Sequence, residues 1–245
     1  MGSIFSVNSN FDPLLAEQLK GYGDWSFDID SLSCTENERL VITGMEVFKL
    51  LKLNDVLKCS KKVFEAWLRG IVGLYQKYSN AYHNATHAAN VLHDTVYLIA
   101  KPEVKNMLSG LDRAAVVIAA IVHDAGHPGR TEDFLINTQD PILIPYIGKK
   151  SPLERYHLAT AFEFTFSTNG VNVLGKLSEN ERSAVRRSVN SVVLATDLEY
   201  HQNYLNTFEE ALKKSMVEKK ILLQMVLKMS DIGRHANENK LALRD

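Results

Sequence analysis

The apolar positions of this chain recur at helical spacing almost from end to end. Leu40, Val47, Phe48 and Leu51 stand at i, i+7, i+8 and i+11 and predict a helix over 38–53. Phe64, Trp67, Leu68, Ile71 and Tyr75 follow i, i+3, i+4 spacing, and Ser60 stands where an N-cap belongs. That pattern predicts an amphipathic helix through Tyr78 whose aromatic stripe is core. The next helix begins near Tyr82, and Pro102 stops it after Ala100. Asp112 is placed to cap a helix over 113–123, whose stretch Ala114 to Val122 is apolar on every side and so should be buried all round. Ser151-Pro152-Leu153-Glu154, and Ser178 with Glu181, have the form of helix starts with a capping box. Further helices are expected over 11–20, 204–214 and 219–231. Residues 131–147 read as short helix and loop, broken by Pro141 and Pro145. Strand-type alternation is absent, so the fold class is all-α: a compact multi-helix domain. Leu241 to Asp245 reads as the start of another helix that the chain stops inside, so C-terminal helices are expected to be missing.

Chemistry sits where apolar segments end. Tyr82-His83-Asn84-Ala85-Thr86-His87 and His123-Asp124-Ala125-Gly126-His127 flank a long apolar stretch. His83 and His87, at i and i+4, would project from one face of a helix. Closing an all-round buried helix with His123-Asp124 puts those groups in a desolvated place, and a buried charge must be paired or metal-bound. Neutral imidazole and carboxylate are the usual ligands of zinc and similar divalent ions. Asp231 closes the apolar run from Met225 in the same manner, so His87, His123, Asp124 and Asp231 form a candidate ligand set. Asp124 could bridge to a second, harder ion that keeps most of its waters. Two ions about 4 Å apart bring a shared water towards a pKa of ~7 and neutralise a phosphoryl group, which suits in-line attack on a phosphate ester. His83 would then protonate the leaving oxygen, or be a third ligand or a surface histidine. His127 is placed to orient a ligand or a water. Glu154 is either a helix-capping residue or a carboxylate that orients the attacking water. His93, His157, His201 and His235 read as core or surface histidines.

Charge narrows the function classes. With 28 basic and 29 acidic residues the net charge is -1, so no basic footprint for nucleic acid exists. Cys34 and Cys59 are far apart and read as reduced thiols, which points to a cytoplasmic protein. No run is long and apolar enough to cross a bilayer. Met1-Gly2-Ser3-Ile4-Phe5-Ser6 fits N-myristoylation on Gly2, and a single acyl chain gives only weak membrane contact. Nothing in the pattern sets an oligomeric state.

Taken together, these motifs resemble the class I cyclic nucleotide phosphodiesterases of the HD superfamily. Tyr82-His83-Asn84 with His87, and His123-Asp124 with His127-Pro128-Gly129, are similar to that family's two metal motifs. Phe134-Leu135-Ile136-Asn137, Leu153-Glu154, Ala195-Thr196-Asp197 and Ser230-Asp231-Ile232 follow in the family's order. Trp25-Ser26-Phe27-Asp28-Ile29 and the two histidine stretches look most like the cAMP-specific type 8 branch. The resemblance implies a catalytic domain over 25–245, incomplete at its C-terminus, after an N-terminal segment 1–24. It implies zinc on His87, His123, Asp124 and Asp231, magnesium (or manganese) bridged by Asp124, and His83 as general acid. It places Tyr82 and Leu198 near the nucleotide, and Glu154 and Thr196 behind the ligands in their water network. The implied reaction is hydrolysis of the 3′ bond of a 3′,5′-cyclic nucleotide, cAMP preferred, to the 5′-monophosphate. Several positions depart from the pattern. Gly126 stands for a usual Asp, Glu132 for Asn and Tyr156 for His, and Arg234 stands where an Asn helps read the purine. Two other readings remain open at this point: a different HD-type phosphohydrolase, and a truncated metal-binding fragment without turnover.

Overall fold

The computed structural model of the chain describes residues 13–242, with side chains from 14 to 233. The α-helices in order are α1 (Pro13–Gln18), α2 (Glu36–Leu50), α3 (Leu53–Leu57), α4 (Lys61–Tyr75), α5 (Ala85–Ala100) and α6 (Pro102–Lys105). They continue with α7 (Gly110–Val122), α8 (Glu132–Asn137), α9 (Pro152–Ser167), α10 (Glu179–Val193), α11 (His201–Lys213) and α12 (Lys219–Ala242). Short 3-10 turns cover Leu19–Gly21, Ile29–Ser31 and Ile144–Tyr146. Among the described residues no strand forms, only one isolated bridge between Tyr22 and Asp24.

The core is built around α7, in which every residue from Ala114 to Val122 is buried, as its unbroken apolar run requires. Helices α5 and α10 pack along it, α3, α9 and α12 touch it, and α2 joins α4 to α5. Fully burying each Ile or Val of α7 contributes about 1.5–3 kcal/mol, so the rod firmly anchors His123 at its C-terminal end. A smaller apolar cluster of Leu135, Leu143, Leu153 and Tyr156 pins the loop region 131–150 to the start of α9.

Several boundaries differ from the sequence pattern for local reasons. α5 starts at Ala85, not near Tyr82, because the Asn84 side chain caps it, accepting from Thr86 N at 2.9 Å and His87 N at 3.0 Å. His83 therefore lies before the helix and does not share its face with His87. α7 is capped by Ser109, not Asp112; Asp112 is the third helical residue of a capping box and accepts from Ser109 N at 2.9 Å. The box expected at Ser151 is not formed: Ser151 has a left-handed φ of 56° and makes no side-chain cap. Glu132 caps α9 instead, its carboxylate accepting from Leu153 N at 3.0 Å. The box of Ser178 and Glu181 is present as expected. No break precedes Leu241: α12 runs on through Gly233 to Ala242, so the separate helix expected there is not found. The Gly2 segment and the side chain of Arg234 lie outside what is described.

Candidate metal centre

Three helices and the turn after α7 bring four donor groups to one point. His87 sits in the first turn of α5, fixed by the Asn84 cap. His123 closes α7, and its Nδ1 donates to Ala120 O at 2.9 Å, which turns Nε2 towards the site. Asp124 follows, its backbone N–H donating to the Tyr75 hydroxyl of α4 at 3.3 Å; that hydroxyl donates in turn to Ile121 O at 3.1 Å. Asp231 comes from α12.

One donor atom from each of these residues lies within 4.8 Å of all the others. His87 Nε2 is 3.2 Å from His123 Nε2 and 3.1 Å from Asp231 Oδ1. Asp124 Oδ2 is 3.1 Å from His123 Nε2 and 3.4 Å from His87 Nε2. A cation about 2.1 Å from each ligand separates neighbouring ligands by about 3.0 Å (octahedral) to 3.4 Å (tetrahedral), so these spacings are those of a coordination shell. Two imidazole nitrogens facing each other at 3.2 Å also hold at most one proton between them. The donor set fits a divalent cation.

Burial works against charge on His123, yet Asp124 and Asp231 outweigh it and hold the imidazole well above its ordinary value. His87 is raised by the same two carboxylates against its own burial. Burial would raise Asp231, but hydrogen bonds to His123 and His87 bring it below the usual carboxylate range. Burial would raise Asp124 as well, but the charge of His123, with hydrogen bonds to His123 and His87, holds it well below that range.

A column of rings stands beside the cluster. His83 stacks on His127 at 3.9 Å between centroids, and His127 stacks on His157 at 5.3 Å. Asn80 organises this column. Its Oδ1 accepts from Tyr82 N and His83 N, both at 3.1 Å, and its Nδ2 faces His127 Nδ1 at 3.2 Å. His127 Nδ1 also accepts from Gly129 N at 3.0 Å, so the ring carries its proton on Nε2. Burial lowers His83 from its ordinary value and takes His127 down to about 3. His157, buried and lowered to about 4 chiefly by burial, donates from Nδ1 to Ala125 O at 3.1 Å and points Nε2 at Asp124 Oδ1, 3.9 Å away. The Tyr82 ring lies 4.7 Å from the His87 ring.

Glu154 forms no capping box with Ser151. Its Oε2 is buried without a hydrogen-bond partner, and burial, reinforced by the charge of Asp197, raises its carboxyl to about 8. Thr196 is buried and donates to Val193 O at 2.8 Å. Leu198 stands exposed on the loop after α10. The sequence pattern missed Asn80, Tyr75 and Glu132, whose roles depend on partners distant in the chain or on turn geometry. It also undervalued His157, which no spacing tied to Asp124.

The 3'5'-cyclic nucleotide phosphodiesterase model matches residues 82–244, a span that contains all four donors. The chain belongs to that family. It is 34% identical over 205 residues to the mouse high affinity cAMP-specific and IBMX-insensitive 3',5'-cyclic phosphodiesterase 8A, covering 83% of this chain and 25% of that protein. It is 36% identical over 228 residues to the Caenorhabditis elegans probable 3',5'-cyclic phosphodiesterase pde-6, covering 90% of this chain and 30% of that protein. The chain thus spans between a quarter and a third of the length of these curated phosphodiesterases. Its fold matches the phosphodiesterase domain of the RhoPDE fusion protein from the choanoflagellate Salpingoeca rosetta with a TM-score of 0.77 and 26% identity, covering 89% of this chain and 69% of that one. Among the described residues, no helix is long and apolar enough to cross a membrane.

Proposed function

We propose that this chain hydrolyses 3′,5′-cyclic nucleotides, cAMP preferentially, to the 5′-monophosphate. The convergence of His87, His123, Asp124 and Asp231 is the observation that carries the reading. The preference for cAMP follows the mouse relative, a cAMP-specific enzyme. In this reading residues 25–245 are the catalytic part and 1–24 a leading segment in a cytoplasmic signalling enzyme, with an acyl group on Gly2 giving weak membrane contact. Zinc would be held by His87, His123, Asp124 and Asp231, and magnesium or manganese would draw on Asp124.

What divalent cations supply when bound is neutralisation of phosphoryl charge and a water of lowered pKa. The protein does the rest. Glu154, behind the ligands with an unpartnered oxygen, accepts a hydrogen bond from the attacking water and orients it. His83, stacked on His127 and tethered through Asn80, gives its proton to the 3′ oxygen as the P–O bond breaks. An anionic phosphodiester beside His83 favours the imidazolium that burial alone disfavours. His127 and His157 keep the His83 ring in place, and His157 faces the Asp124 carboxylate. Tyr82 and Leu198 border the nucleotide, and Thr196 belongs to the water network behind the ligands.

The test is a hydrolysis panel on the purified, cation-loaded chain, with cAMP and cGMP set beside linear nucleotides. Cyclic substrates should be consumed, cAMP fastest, and His83→Ala should lose about 10²–10⁴-fold in turnover while keeping its cation. Hydrolysis of linear nucleotides alone, or full turnover by His83→Ala, would overturn the reading.

A further inference from the structure

We propose that Lys228 is a positioning residue that locks the Thr196–Leu198 loop to the helix carrying Asp231. The inference rests on the reading above, in which that loop borders the nucleotide. Lys228 is buried, with 1% of its surface exposed. Its Nζ donates to Ala195 O at 2.9 Å and Asp197 O at 3.1 Å, with Thr196 O at 3.4 Å. Among the described residues it forms no ion pair, so backbone carbonyls alone satisfy a buried ammonium. An ammonium has three donors, and here three successive carbonyls meet them. Those carbonyls follow the C-terminal end of α10, where unpaired C=O groups and the helix dipole favour a cation. The Tyr204 ring of α11, 5.7 Å from Nζ, lies over it.

The grip repeats along α12. One turn before Lys228, Gln224 Nε2 donates to Ser191 O at 3.1 Å and to Ser191 Oγ at 2.9 Å. Gln224, Lys228 and Asp231 occupy i, i+4 and i+7, one stripe of the helix. The first two hold the last turn of α10 and the loop after it, and the third joins the donor cluster. One rigid helix face therefore sets the distance between the loop backbone and the Asp231 carboxylate. Thr196 and Asp197 spend their own side chains locally, on Val193 O and on Glu199 N at 2.8 Å each. The ammonium therefore supplies the tie from this turn to α12.

Lys228→Met keeps the stem and removes the donors. Amide hydrogen exchange over 195–199 should then quicken about tenfold or more, with exchange inside α7 unchanged. KM for cAMP should rise more than kcat falls, cation content should stay the same, and Lys228→Arg should recover part of the loss. Unchanged exchange over 195–199 in Lys228→Met would overturn the proposal whether or not the chain hydrolyses cAMP. Failure of catalysis in the wild-type chain, with quickened loop exchange in the variant, would instead strike the functional reading alone. Should Lys228→Met not fold, reductive methylation of the native protein decides. Lys228 should stay unmodified while exposed Lys20 and Lys49 react, and reaction of Lys228 at their rate would overturn it.

Discussion

Loading the centre with a cation should expel a proton. In chelator-stripped protein His123 donates Nδ1–H to Ala120 O and faces Asp124 and Asp231 with Nε2, a setting that favours a second proton on the ring. A ligating imidazole must give that proton up. One proton released per cation changes the binding constant about tenfold per pH unit, or about 1.4 kcal/mol. The sign follows from linkage. The folded value of His123 lies above 6.5, so its stabilising contribution is complete below pH 6.5 and is lost as pH rises through the raised value. The cation-free protein therefore weakens as pH climbs from about 6.5, while cation affinity strengthens, and the gap in Tm between the two forms widens. The assay is calorimetric titration of chelator-stripped protein with Mn²⁺ at pH 7 in buffers of different ionisation enthalpy. A slope near one proton is expected. A slope of zero, with affinity unchanged between pH 6.5 and 7.5, would refute the assignment of an imidazolium to the chelator-stripped cluster.

Other consequences concern the surroundings of the cluster. Asn80→Ala removes the hydrogen bonds to Tyr82 N, His83 N and the His127 ring; it should lower turnover at least about tenfold with cation content intact, and equal turnover would deny the tether its role. Glu132→Ala should cost about 0.5–2 kcal/mol in urea unfolding, because Ser151 supplies no cap to α9. No change would mean that the cap at Leu153 N contributes nothing. Gly44→Ala sets two effects against each other. A methyl there meets both δ carbons of fully buried Leu68 at 2.8 Å, an overpacking cost of about 1–3 kcal/mol against a helix-propensity gain of about 1 kcal/mol. The unfolding midpoint should fall, and a rise would show that Leu68 yields freely.

The sequence was most legible where apolar periodicity and chemistry coincide. α7 announces its burial by lacking any polar face, and His123-Asp124 at its end could only be paired or ligated. Asp231 repeats that signature, which is why two distant segments were recognisable as halves of one centre. Local competition was harder to read. Asn80 and Asn84 both suit a helix start, and only the fold gives Asn84 to α5 and Asn80 to the histidine column. That choice removes His83 from the helix, so the i, i+4 argument reached the right neighbour of His87 by the wrong geometry. Ser109 with Asp112 was a readable capping box, overlooked because Asp112 stood nearer the apolar run. Ser151 followed the box pattern yet failed it, since a carboxylate 19 residues upstream, Glu132, takes the cap. Lys228 gave no signal, because a lysine inside an apolar run reads as a solvated face until the carbonyls at the end of α10 are placed around it.

The most direct test of the account is elemental analysis of divalent cation bound to the purified chain, wild type beside Asp231→Ala. Asp231 lies far along the sequence from the two histidines and meets them only through the fold. The wild-type chain should retain tightly bound cation through gel filtration, and Asp231→Ala should lose most of it while keeping its helical circular dichroism. Equal cation content in the two proteins would contradict the four-donor centre and the hydrolysis built on it.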